Sequence, residues 1–239
     1  MAKAARVILY LFAAIGVLFV GLAMYPNLGT PPIAPTSDIT APIAIATGAD
    51  LLRVVQSRNV DLIVETASSL NAMHEKSHLM PTVDALWRAD NSAYPDMPID
   101  VVTLPRIRLA FADVLVQSHR NGFYDADVDA IHMFAKERLA SRDRDSVMAA
   151  MHLVSMFDDR DDVPRLVEIS SDPDYFRPAV VYLSEMCVPE AKAAVGALLE
   201  SCDNGDCAEI RLEQEKWESF QVRNRICELR QWPHPRNGS

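Results

Sequence analysis

Glycine is scarce in this chain, with eight residues in 239. Strand-like alternation is absent beyond position 47, which argues against a sheet-based fold. No G-x-S-x-G elbow, phosphate-binding glycine loop or C-x-x-C-H haem attachment occurs, so three common chemistries lack their local signature. No acidic residue precedes position 25, no basic residue lies between Arg6 and Arg53, and no cysteine precedes Cys187. These gaps divide the chain into parts with different roles.

The first part is apolar. After Lys3 and Arg6 come 18 uncharged residues, 7–24, with Val7, Leu11, Ile15, Leu18 and Leu22 spaced along them. At about 1.5 Å per residue such a helix covers ~27 Å, close to a hydrocarbon core of about 30 Å. Tyr10 and Tyr25 lie near its ends, the latter suited to a water–lipid boundary, and Pro26 stops the helix. Residues 1–25 therefore read as a signal-anchor transmembrane helix. With basic residues only before the span, the N-terminus is expected in the cytoplasm and the rest of the chain across the membrane. The inner membrane, with a periplasmic domain, is the expected location. The alternative is a signal peptide cleaved after Gly21-Leu22-Ala23, although its apolar run exceeds the usual length. On either reading the chain beyond residue 25 is exported.

The exported remainder carries all 33 acidic residues and two fewer than the 23 basic ones, a net charge of −12. That excess argues against nucleic acid and against docking on anionic lipid, and it permits a basic partner. Residues 26–47, with Pro26, Pro31, Pro32, Pro35 and Pro42 and a single acid, Asp38, read as an extended spacer. Residues 48–230 read as one helical domain, and 231–239 as a tail.

The four cysteines, Cys187, Cys202, Cys207 and Cys227, permit three pairings. An even number outside the cytoplasm suggests two disulfides, with a zinc site as the alternative. Cys202 and Cys207 flank the turn Asp203-Asn204-Gly205-Asp206 and lie near each other if it is tight. Cys187 then sits at the far end of the helix leading to Cys202. Cys227 lies along a helix returning toward that end. The favoured pairs are Cys202–Cys207 and Cys187–Cys227.

Helical stripes recur at i, i+3/i+4, i+7 spacing: Ile107/Phe111/Val114/Leu115, Val128/Ile131/Ala135/Leu139, Val147/Ala150/Met151/Val154, Phe176/Ala179/Val180/Leu183 and Ala191/Ala194/Val195/Leu198. Pro81, Pro105, Pro164 and Pro189 each stand near an expected helix start. Within 144–201, a helix over 147–157, the turn Asp158-Asp159-Arg160-Asp161-Asp162 and a helix over 163–169 are succeeded by a similar unit. That unit is a helix over 176–186, the turn Cys187-Val188-Pro189 and a helix over 190–200. Leu153 and Met156 correspond to Leu183 and Met186. This spacing resembles HEAT-type repeats. The resemblance implies an α-solenoid of stacked antiparallel helix pairs that offers a binding surface to another protein. An irregular bundle of helical hairpins is the alternative. The helix over 207–230, with Ile210, Trp217 and Phe220, is then the C-terminal cap.

The chemical candidates are few. His74-Glu75-Lys76-Ser77-His78 matches H-E-x-x-H, in which two histidines one helical turn apart hold zinc and the glutamate activates water. Asp84 occupies the third-ligand position of metzincin-type proteases. Pro81 stands where those proteins have a turn glycine, and Lys76 places a charge in the motif. The competing reading is the last turn of a helix over 60–76. Asp125-Ala126-Asp127-Val128-Asp129 matches the start of a calcium loop, but Ala130 replaces its glycine and Lys136 its terminal glutamate. A helix start fits better. His132 reads as a satisfied core histidine, Met148, Met151 and Met156 as core filler, and the 158–162 run as a solvated turn.

The expectation is thus an all-α protein: an N-terminal transmembrane helix, then an α-solenoid or irregular helical-hairpin domain. It has no cofactor and a protein partner, and it serves as an accessory or assembly subunit of a membrane complex. The rival is a zinc hydrolase built on His74, His78, Asp84 and Glu75.

Overall fold

A computed structural model of the protein describes residues 45–70, 74–202, 207–224 and 227, all within the compact unit Ala41–Ser239. The expected anchor and most of the spacer lie outside the described residues. Among the described residues no helix is long and apolar enough to cross a membrane.

The described part is all-α, without a strand. Eleven helices succeed one another in it: α1 Gly48–Gln56, α2 Val60–Ser69, α3 Met80–Arg88, α4 Ile99–Val102, α5 Pro105–Arg120, α6 Val128–Arg138, α7 Arg144–Ser155, α8 Val163–Ile169, α9 Pro173–Glu185, α10 Pro189–Glu200 and α11 Cys207–Asn224. Two 3₁₀ turns, His74–Leu79 and Arg160–Asp162, lead into α3 and α8.

Short polar side chains set many of the starts. Thr47 and Asp50 form a capping box on α1. Asn59, Asp127, Asp143 and Asp172 accept from the first-turn amides of α2, α6, α7 and α9, satisfying donors that have no partner within the helix. Proline opens α5, α9 and α10 and stands second in α3 and α8. There its missing N–H costs nothing. Ala89 ends α3 in the left-handed region, at φ 51°.

Helix α5 is the centre of the N-terminal half, packed by α2, α3, α6 and α7. Its Ile107, Phe111, Val114 and Leu115 are fully buried, as the apolar stripe requires. Helix α9 plays the same part further on, packed by α7, α8, α10 and α11. From α5 onward each helix to α10 touches the next, or the next but one, or both: α5 meets α6 and α7, α7 meets α6 and α9, and α8 meets α9 and α10.

One expectation needs correction. The helix starting at Val60 ends at Ser69, well short of Lys76. Ser68 and Ser69 turn their hydroxyls back to the Val64 and Thr66 carbonyls. Such local bonds compete with continuing the helix. Ile45, three residues before α1, is already buried against the core.

Candidate functional site

The H-E-x-x-H segment lies in the 3₁₀ turn His74–Leu79. A 3₁₀ turn has about 3 residues per turn, so positions four apart fall on different faces instead of stacking as in an α-helix. His78 places Nδ1 3.0 Å from the Glu75 carbonyl and Nε2 2.9 Å from the Ala46 carbonyl. Both nitrogens therefore face backbone oxygens instead of converging on a ligand site. Glu75 is exposed, and the side chain of His74 lies outside the described residues. Asp84 accepts from Arg88 Nε at 3.0 Å and from the Tyr124 hydroxyl at 3.1 Å. Burial, with the Asp84 carboxylate beside it, pushes the Tyr124 phenol up. The backbone that would align His74 with His78 is 3₁₀ and not α-helical, and Asp84 serves to tie α3 to the loop before α6. Among the described residues, His78 and Asp84 engage other partners and are not in the group whose ligand atoms come close enough to hold a cation.

A denser cluster forms where α6 meets the turn before α8. His132 Nε2 lies 2.6 Å from Asp162 Oδ2, and Lys136 Nζ lies 2.6 Å from Asp162 Oδ1. A carboxylate only accepts, so the His132 proton sits on Nε2. The imidazole stacks on Phe157, ring centres 4.2 Å apart and planes within 10°. Asp159, 3.8 Å from Lys136 Nζ, completes the group. Asp162 is 1% exposed. Burial alone raises a carboxyl pKa, but the His132 and Lys136 hydrogen bonds outweigh it and hold Asp162 below the usual 3.8. The Asp162 bond raises the Lys136 ammonium in turn.

Among the described residues, His132, Asp159 and Asp162 are the group whose ligand atoms come close enough to hold a cation. Lys136 already places its ammonium between the two carboxylates. The cluster therefore carries its own cation, and its chemistry is that of a buried ion pair fixing α6 to α8. His132 is satisfied, as its place beside the apolar stripe indicates. The turn 158–162 is not solvated throughout, because Asp162 is buried. Asp158 accepts from the Cys187 amide at 2.6 Å. The sequence signal for this cluster was the i, i+4 pair His132 and Lys136 on one helix face, with the acidic run ending next to Val163-Pro164.

The C-terminal end is held differently. Cys187 is bonded to Cys227, Cα atoms 5.2 Å apart, and Cys202 to Cys207, Cα atoms 6.0 Å apart. Arg177 of α9 bonds both Glu213 oxygens of α11, at 2.8 and 2.9 Å. Trp217 Nε1 donates to the Ser184 carbonyl at 3.1 Å. Between the two helices runs a groove of about 180 Å³, lined by Val180, Val181, Ile210 and Trp217 with Glu213 and Gln214.

Comparison with family models, curated proteins and solved structures finds no match. The functional reading therefore rests on the chain itself.

Proposed function

We propose that this is a membrane-anchored protein-interaction module. Its exported helical domain docks onto another protein and supplies no chemistry of its own. The observation that carries this reading is the packing order, in which helices from α5 onward contact neighbours one and two places along the chain. That order is the one expected of stacked helical hairpins, in which each unit buries its stripe on its neighbours. An α-solenoid displayed outside the cytoplasm, with residues 7–24 holding it to the bilayer, is the architecture proposed. The polar groups support it too. The ion-pair cluster and Asp84 are consumed in structural bonds, which leaves surface contact as the means of action. An accessory or assembly subunit of a membrane complex is the role that fits a tethered binding domain.

Four large apolar side chains are exposed among the described residues: Leu104, Met133, Val181 and Leu212. A photo-crosslinking residue at each, one at a time, in the native membrane tests the reading. The expected result is one discrete adduct with a membrane protein, confined to neighbouring positions and lost when Asp162→Asn weakens the fold. A monomeric chain that yields no adduct at any position and turns over a substrate overturns it. Protease applied outside intact inner membranes checks the anchor, since only residues before position 26 are expected to be protected.

A further inference from the structure

Among the described residues of this acidic chain most arginines face a carboxylate: Arg53 meets Asp50, Arg58 Asp100, Arg106 Asp61, Arg165 Glu168 and Arg177 Glu213. Among the described residues Arg108 forms no such pair. It stands in the corner between two aromatic rings, its guanidinium carbon 4.5 Å from the Trp87 ring centre and 4.3 Å from that of Phe134. The rings meet edge to face, 4.9 Å apart. A second guanidinium, that of Arg138, lies 5.2 Å from the same Phe134 ring. Two positive groups thus share one ring, although like charges at such range repel.

A purely structural role accounts for part of this. Arg108 Nε donates to the Trp87 carbonyl at 3.0 Å, satisfying one of the free acceptors at the end of α3. That uses one of the five N–H donors of a guanidinium. Arg138 has no such task. Among the described residues its buried Nε meets no hydrogen-bond partner, while its Nη2 donates to the largely exposed carboxylate of the adjacent Glu137 at 3.4 Å. Rings, more than hydrogen bonds, hold both guanidiniums in place. Both side chains are half-buried.

We infer that Arg108 and Arg138, oriented by Trp87 and Phe134, form a receptor for an oxyanion, the carboxylate or phosphate group of a ligand. The planar fork of arginine matches those groups with paired N–H donors. An anion between the two cations also removes their mutual repulsion. Burial, followed by the nearby Arg138 charge, pushes the Arg108 pKa down, and the Glu137 carboxylate offsets this only in part.

Calorimetric titration of the full chain in mild detergent, with inorganic phosphate or succinate against chloride at matched ionic strength, tests this. Saturable binding of either ion is expected, and the stronger of the two identifies the group recognised. Arg138→Met, which keeps the aliphatic stem, and Arg138→Lys, which keeps the charge without the fork, each weaken it at least about tenfold, the worth of one charge-assisted bond. Arg165→Met leaves it unchanged. In chloride alone Arg138→Met melts at or above the wild-type temperature, because a repelling charge is gone. A lower melting temperature for Arg138→Met together with unchanged phosphate binding makes the pair merely structural and overturns the inference. So does the absence of saturable binding by either ion.

Discussion

Asp162 is ionised inside the protein because His132 and Lys136 both donate to it. Their bonds offset a desolvation penalty that otherwise favours the neutral acid. Asp162→Asn keeps the shape and removes the charge, leaving Lys136 without its closest counterion. Unfolding in urea is expected to show a loss of about 2–3 kcal/mol at pH 7, the scale of hydrogen bonds to charged groups. The pH dependence comes from the direction of the shifts. A carboxyl held below 3.8 stabilises the fold above that pH and ceases to do so as pH falls through its folded value. Lys136 has the opposite sense: raised above 10.5, it contributes fully below that pH and loses its contribution as pH rises through the folded value. The difference in stability between wild type and Asp162→Asn is therefore expected to shrink as pH falls below about 4. A difference that stays level down to pH 2 contradicts the ion pair.

Helix starts carry much of the local information at the next scale. Asp143 accepts from the Ser146 amide at 3.0 Å and opens α7, the helix that joins the α5 half to the α9 half. The Ser146 hydroxyl and amide also hold the Asp143 carboxyl below its ordinary value. Asp143→Ala is expected to cost about 1 kcal/mol, read as a lower urea midpoint with unchanged slope, while Asp143→Asn recovers most of it. Such caps, the prolines at helix starts and the apolar stripes were legible in the sequence because each depends on residues within one or two turns. The five stripes are buried or packed on the core as their spacing indicates. The premature end of α2 was not legible in its apolar periodicity, which continues to Leu70. Serine back-bonding stops it, and that signal competes weakly with periodicity. The H-E-x-x-H match specifies side chains one α-helical turn apart, whereas the backbone here is 3₁₀. The Asp162 cluster escaped because its partners His132 and Lys136 lie 30 and 26 residues away on a helix whose docking angle no local pattern reveals. Likewise, nothing local announces that Trp87, Arg108 and Phe134 come from three helices to one corner.

At the scale of the whole molecule, the two disulfides act on one end only. Cys187–Cys227 closes a separation of 40 residues and ties Cys227, just past the end of α11, to Cys187, two residues after α9, while Cys202–Cys207 closes only 5. Loop-closure entropy grows with the logarithm of that separation, giving about 4 kcal/mol for the long loop and about 2 for the short one. The noncovalent hold on α11 is mostly polar: Arg177 on Glu213, Trp217 on the Ser184 carbonyl, and Arg211 on the Leu199 carbonyl. Ile210 is the buried apolar anchor near its start. The fully buried side chains of α5, by contrast, belong to the core between α2, α3, α6 and α7. A Cys187→Ser/Cys227→Ser double variant should therefore release α11 without dissolving the rest. Amide hydrogen exchange reads this directly. Protection in α11 is expected to fall by roughly two orders of magnitude or more, from the relation of about 1.4 kcal/mol per tenfold, while α5 keeps its wild-type protection. Cys202→Ser/Cys207→Ser should show a smaller loss, confined to the start of α11. If α5 and α11 lose protection together, the last helix is integral to a single cooperative core and the reading of α11 as a terminal cap fails, because a cap can detach while the stack it covers remains folded.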